Sequence, residues 1–314
     1  MGGSKSTECP PPPPSPLLPE PWRILDGSKR DEMIDHLRNF KISQPKIEHL
    51  RILVHGPVGA GKSSFINSID SIFQGRMTSA AQVETSAGKS FTKRYKTHKI
   101  KAGEYGSYLP FVFSDVMGLE RGESEGVKVD DLKKILNGHI KEGHMFHELS
   151  ALPEEEDNGY IKDTSLSDRV HCLVSIIPAD SVLWCADSKK ISQHAMQEKD
   201  EAFINKMKDV RAEAASMMGI PQVVILTKVD EACSEVQKDI KLIYSSKTIR
   251  EKIKLCSVNV GVPQYCIFPV KNYHEEIHLN NDMDVLLLSA LTDILNFAND
   301  YVAEMKIEDT ENPI

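Results

Sequence analysis

No apolar run in this sequence approaches the roughly 20 residues that a helix needs to cross a bilayer. The densest stretch, Val285 to Leu288 with Ala290, Leu291, Ile294 and Leu295, is broken by polar residues at helical spacing and reads as an amphipathic helix. Positive charge is also in deficit. The 38 Lys and Arg stand against 46 Asp and Glu, and the formal net charge of −8 argues against a broad nucleic-acid surface. The six cysteines (Cys9, Cys172, Cys185, Cys233, Cys256, Cys266) form no C-x-x-C pair and have no metal-ligand histidines beside them. Structural zinc is therefore not expected, and reduced thiols are. The first residues lack the charged and apolar regions of a secretory signal, so a cytoplasmic location is expected.

What is present is the composition of a globular protein, 40% hydrophobic and 27% charged over 314 residues. Pro10 to Pro14 is an unbroken proline run followed by Pro16, Pro19 and Pro21, so residues 1–21 read as an extended tail or spacer. Met1-Gly2-Gly3-Ser4-Lys5-Ser6 fits the M-G-x-x-x-S/T pattern for myristoylation on Gly2, with a chance match or a cloning remnant as the competing reading. One acyl chain holds a membrane only marginally, and Cys9 is near enough to carry a second. Membrane association through acylated Gly2 and Cys9 is thus one expected partner mode.

Met33, Ile34, Leu37 and Phe40 recur at helical spacing within residues 29–41, inside a short lead-in over 22–46. Strands are predicted at Leu50–Val54, Arg94–Ile100, Leu109–Phe113, Val170–Ile177, Val223–Leu226 and Tyr265–Val270, and long helices over 198–218 and 284–305. Alternating strands and helices imply an α/β fold, a mostly parallel sheet with helices on both faces. The main domain is set at 47–306, with a long insertion over about 120–167 and a tail over 307–314.

The chemistry lies in three motifs. Gly56-Pro57-Val58-Gly59-Ala60-Gly61-Lys62-Ser63 matches the P-loop pattern G-x-x-x-x-G-K-S/T, with a strand before it and a helix after it. Glycines let backbone N–H groups converge on a β-phosphate, and the helix start adds its positive dipole end. Lys62 supplies a point charge between the β- and γ-phosphates, and the Ser63 hydroxyl coordinates Mg²⁺. The phosphate-binding set is Gly56, Gly59, Ala60, Gly61, Lys62, Ser63 and Ser64. Next, Asp115-Val116-Met117-Gly118 follows a strand: Asp115 would hold Mg²⁺ and the Gly118 N–H would meet the γ-phosphate. Last, Thr227-Lys228-Val229-Asp230 follows another strand. Guanine presents two adjacent donors, N1–H and N2–H₂, and the Asp230 carboxylate can accept both, which rejects adenine. The Lys228 stem can pack over the ring. Thr227 stands where asparagine is usual, and its hydroxyl can still tie loops together.

Two further elements are weakly marked. A threonine closing over Mg²⁺, also counted with Lys62 as catalytic, is assigned to Thr92, with Thr85 competing. The base-backing loop is assigned to Lys271-Asn272-Tyr273, with Asn272 as the contact. Turnover is doubtful, because Leu119 stands directly after D-x-x-G, where a glutamine would orient water, and the charged Glu120 follows.

The stretch Leu50 to Asp70 resembles the interferon-induced protein 44 family, as do Tyr108-Leu-Pro-Phe before Asp115, Asp168-Arg-Val-His-Cys, and Leu287-Leu-Ser-Ala-Leu. Pro21-Trp22-Arg23 is similar to the lead-in of that family, so the resemblance covers roughly 21–305. It implies an interferon-inducible GTP-binding protein of innate immunity with antiviral effects, with Gly56, Gly61, Lys62, Ser63, Asp115, Gly118 and Asp230 carried over to its site. The residues before Pro21 are too few for the TLDc-type domain of longer members, so any role of that domain is left open here.

Three readings compete: a slow GTPase switch using GTP, GDP and Mg²⁺; a GTP-bound scaffold that hydrolyses little; and an ATP-using P-loop enzyme. An unidentified protein partner and nucleotide-dependent self-association are both left open. In the insertion, Glu154-Glu155-Glu156-Asp157 reads as a solvated loop. His139, His144 and His147 have spacing compatible with a helix face, with scattered surface histidines as the bland alternative.

Overall fold

The strand that leads into the P-loop motif is the centre of the sheet. In β1 (Leu50–His55) the side chains of Leu50, Ile52, Leu53 and Val54 are all fully buried, so both faces of the strand are covered. A continuous apolar run rather than an alternating one is what such a position requires. The structure, a computed structural model, describes residues 15–81, 94–103, 106–116, 129–146, 159–180, 205–216 and 219–305.

On one side β1 pairs in parallel with β3 (Tyr108–Asp115), in the register Leu50↔Phe111 to Val54↔Asp115. On the other it pairs in parallel with β4 (Cys172–Pro178), Ile52↔Cys172 to His55↔Ser175. Beyond β4 come β5 (Gln222–Thr227) and the short β6 (Ile267–Pro269), both parallel. The outermost strand on the far side, β2 (Lys96–Lys101), is antiparallel to β3, which completes the order β2-β3-β1-β4-β5-β6. The chain moves one way from β1 to β3 and the other way to β4. Such a reversal leaves a crevice at the carboxyl ends of the strands, the usual ligand position in open α/β sheets.

The weak alternation of β2 has a physical cause. It is an edge strand with Lys96, Lys99 and Lys101 exposed, and charge there discourages pairing with another chain. The Glu142 carboxylate accepts from the Thr97 N–H at 2.9 Å, which also occupies the edge.

The helices follow the predicted pattern, with shifted ends. α1 (Arg30–Arg38) buries Ile34 and Leu37, with Met33 and Phe40 packed at its margin. α2 (Lys62–Gln74) ends at Gly75, left-handed at φ 65°. α3 (Val129–Leu136) lies between β3 and β4, and Lys133 pairs at 3.2 Å with Glu213 of α4, described over 205–216; the ends of the helix expected over 198–218 lie outside the described residues. After β5 come α5 (Val229–Ala232), α6 (Ser234–Lys238) and α7 (Lys247–Val260). α8 (Asn281–Glu304) packs on α1, β1 and β4. It begins before residue 284 because the Asn280 side chain caps the N–H groups of Asp282 and Met283. β6 starts later than Tyr265 because Gln264–Cys266 is a 3-10 turn after Pro263, with Tyr265 exposed.

Residues 15–22, at the end of the proline-rich stretch, lie along the segment before α7: the Leu18 N–H donates to Ser245 O at 2.7 Å, and Trp22 N–H to Tyr244 O at 3.0 Å. His139 and His144 each follow a turn and do not share a helix face; His139 stacks on Tyr160 and bonds to Ile161 O at 2.7 Å. His147 lies outside the described residues. Among the described residues, no helix is long and apolar enough to cross a membrane.

Candidate nucleotide site

The loop after β1 is shaped by contacts that forbid side chains. Gly56 has φ 149°, and a Cβ there would sit 2.2 Å from the Ile176 carbonyl oxygen of β4. At Gly59, φ 75°, a Cβ would meet no atom within 4 Å, so the loop is open on that side. Gly61, φ 91°, is the left-handed N-cap of α2. The α2 first turn holds no acidic residue, which leaves its positive dipole end free for an anion.

Lys62 and Ser63 are both buried. The Lys62 ammonium donates to Pro57 O at 2.9 Å and Gly56 O at 3.3 Å, so its charge is held inside the loop by backbone carbonyls. The β1–β3 register brings Asp115 beside the loop, and Ser63 Oγ lies 3.4 Å from its Oδ2. Ser64 is partly exposed in the first turn, and its carbonyl accepts from Ser68 Oγ at 2.7 Å.

The loop after β5 is tied to the phosphate loop. The Thr227 hydroxyl, fully enclosed, donates to Ala60 O at 2.7 Å, with Ile177 O at 3.4 Å. Lys228, with φ 56°, is the single non-glycine residue of positive φ among the described residues. Strain of that kind collects where a site demands a fixed direction. Asp230 lies in the first turn of α5, its Oδ2 3.5 Å from the Lys271 ammonium, which in turn contacts Glu276 at 2.7 Å. Asn272 Nδ2 donates to Gly61 O at 3.0 Å, and its buried Oδ1 has no donor among the described residues. Tyr273 anchors this loop: its N–H donates to Ser68 Oγ at 2.9 Å and its hydroxyl to Asp284 Oδ1 at 2.6 Å.

No family model matches the chain. Among curated proteins it is 32% identical to human interferon-induced protein 44-like over 291 residues, covering 92% of this chain and 60% of that protein. It is 32% identical to human interferon-induced protein 44 over 283 residues and 30% identical to the mouse protein over 275. The chain belongs to the interferon-induced protein 44 family. It spans 60% of the length of the human relatives it matches. Among solved structures it is similar to Toc33 from Arabidopsis thaliana in complex with Mg²⁺ and GMPPNP, at 15% identity and a TM-score of 0.44, covering 87% of this chain and 92% of that one. It is also similar to a probable GTP-binding protein engB, at 10% identity and a TM-score of 0.39, covering 80% and 98%.

The site of this interferon-induced protein 44 family member has the donor chemistry for a hard divalent cation. Ser63 Oγ and the Asp115 carboxylate are adjacent oxygen donors, the type Mg²⁺ takes together with waters and phosphate oxygens. Among the described residues no group of three His, Cys, Asp or Glu could hold a metal by itself, so the cation would depend on a bound phosphate for its remaining ligands.

The fold is that of an α/β P-loop NTPase, with Gly56, Gly59, Ala60, Gly61, Lys62, Ser63, Asp115, Thr227, Asp230 and Asn272 grouped at one end of its sheet. Thr92, its competitor Thr85, Gly118, Leu119 and Glu120, like the tail residues Gly2 and Cys9, lie outside the described residues. Two features had no sequence signal. One is the Asp230–Lys271–Glu276 chain of charges. The other is His55, whose Nε2 lies 2.7 Å from Ser175 Oγ beneath the loop. Burial, with the Lys62 charge, lowers the His55 pKa to about 3, so it is neutral.

Proposed function

We propose that this chain binds GTP and GDP with Mg²⁺ and acts as a slow GTPase switch. The observation that carries the reading is the convergence of three distant segments on one loop: Thr227 Oγ1 bonds to Ala60 O, Asn272 Nδ2 to Gly61 O, and Ser63 Oγ lies 3.4 Å from the Asp115 carboxylate. In this reading the loop N–H groups and the α2 N-terminus hold the phosphates, and Lys62 exchanges its carbonyl contacts for β- and γ-phosphate oxygens. Ser63, Asp115 and Thr92 hold the cation. Mg²⁺, when bound, neutralises charge on the β- and γ-phosphate oxygens. Asp230 accepts from N1–H and N2–H₂ of guanine, with the Lys228 stem over the ring and Asn272 behind it. The Gly118 N–H reports the γ-phosphate, so the segment around it changes on hydrolysis.

The relatives are named interferon-induced, and the proposal extends that context to this chain: a cytoplasmic protein of innate antiviral defence, with acylated Gly2 and Cys9 as its route to a membrane. A second reading, a GTP-bound scaffold, rests on Leu119, whose side chain cannot orient an attacking water.

The test is titration of the purified chain with fluorescent GTP, GDP and ATP in Mg²⁺, beside Lys62→Ala and Asp230→Asn. Saturable guanine binding lost in both variants is the expected result. No binding, or ATP binding indifferent to Asp230, would overturn it. Single-turnover hydrolysis then separates switch from scaffold.

A further inference from the structure

The guanine reading assigns Asp230 to the two donors on the base edge and leaves the neighbouring acceptor, O6, without a partner. The Val270 N–H donates to Leu226 O at 2.9 Å, which extends the β5–β6 pairing and sets Lys271 beside the Thr227–Asp230 loop. Its ammonium is largely covered and lies 2.7 Å from Glu276 Oε1 but 3.5 Å from Asp230 Oδ2. Glu276 is therefore the tighter partner. It is itself fixed, since its other oxygen accepts from the N–H groups of His274 at 3.1 Å and Glu275 at 3.3 Å.

An ammonium has three N–H donors. One is spent on Glu276 and a second points along Asp230, so the third has no acceptor among the described residues. Burial opposes the charge on Lys271, but the hydrogen bond and charge of Glu276, with that of Asp230, outweigh it and raise the pKa, so the group stays a donor at neutral pH. Read across the site, Lys271 and the two Asp230 oxygens present donor, acceptor, acceptor. Guanine presents the complement in order: O6 acceptor, N1–H donor, N2–H₂ donor. Adenine offers a donor where Lys271 requires an acceptor.

We propose that Lys271 is a specificity-determining residue of this site: it donates a hydrogen bond to O6 of guanine, with Glu276 holding it in line beside Asp230. The inference rests on the guanine-binding reading. It adds a cation to a readout otherwise assigned to one carboxylate, and it gives Glu276 a positioning role that does not touch the base.

The experiment uses the full chain and three probes: GTP; 6-thio-GTP, which keeps both donors but carries sulfur, a weak acceptor, at position 6; and ITP, which keeps O6 and lacks the 2-amino group. Unmodified protein should prefer GTP over 6-thio-GTP about tenfold, the scale of one hydrogen bond from a charged donor. The pair Lys271→Met with Glu276→Gln removes the cation without stranding a carboxylate. In it GTP should weaken about tenfold, 6-thio-GTP should not change, and the GTP-to-ITP ratio should hold, because Asp230 still reads the amino group. Lys271→Arg, which keeps the donor and the Glu276 pair, should retain the preference, and it serves if the double variant fails to fold. GTP and 6-thio-GTP weakening in proportion, or neither weakening, would overturn the assignment and leave Lys271 a support of the loop. Unmodified protein that binds GTP no better than ATP fails the underlying guanine reading first, before any variant is made, and this inference falls with it.

Discussion

Replacing Thr227 by valine isolates the bond that joins the Thr227–Asp230 segment to the loop after β1. The change swaps a hydroxyl for a methyl at nearly constant shape, and valine is as suited to a strand as threonine. What is lost is one bond, Thr227 Oγ1 to Ala60 O at 2.7 Å, in a fully enclosed setting. A buried acceptor deprived of its donor costs about 1–3 kcal/mol. Part of that should appear as folding stability and part as nucleotide affinity, because Ala60 lies in the loop and Thr227 starts the segment carrying Asp230. The assay pairs urea denaturation with fluorescent GTP titration. T227V should lose about 1–2 kcal/mol of stability and bind GTP about tenfold more weakly, a drop equivalent to about 1.4 kcal/mol. T227S, which keeps the hydroxyl, should recover most of both. If T227V matches the unmodified chain in both measurements, or T227S is equally impaired, the hydroxyl bridge is not what couples the loops.

Gly56→Ala should abolish folding or binding, since its Cβ would sit 2.2 Å from a backbone oxygen that cannot step aside; Gly59→Ala, with open space around it, should cost only about 1 kcal/mol of left-handed strain, both read by thermal melting. Acidification should destabilise the fold through buried neutral histidines. Burial lowers His55 to about 3 and His171 to about 4, so the unfolded chain binds more protons and stability falls as pH drops below about 6.5. Each should contribute about 2 kcal/mol of loss between pH 7 and 5, removed in the matching His→Gln variant if its packing is kept. Asp284→Ala should cost about 3–5 kcal/mol, because Arg30 then loses its buried partner and Tyr273 its acceptor; Asp284→Asn, which keeps an acceptor for Tyr273, should cost less in a denaturation series.

Much of the P-loop end of the sheet was legible because a phosphate-binding loop needs contiguous residues. The glycines, Lys62 and Ser63 must follow one another between a strand and a helix, so the motif alone carried loop, helix start and order of elements. The strands β1, β3, β4 and β5 were equally plain, since a sheet covered on both faces demands apolar runs. β6 was longer in the sequence reading than in the fold, because Tyr265 is apolar yet exposed in a turn. The start of α8 was missed because its signal is a single capping side chain, Asn280.

The P-loop, the positions of the Asp115 and Asp230 carboxylates and the alternating layers could be read in chain order, because each is written in neighbouring residues or in a local period. What joins them is set by packing. Thr227 meets Ala60 across 167 positions and Asn272 meets Gly61 across 211, while Lys271 chooses between Asp230 and Glu276. Such partners are set by the register of parallel strands and the packing of the loops beyond them, and a chain read in order has no local signal for contacts made at that distance.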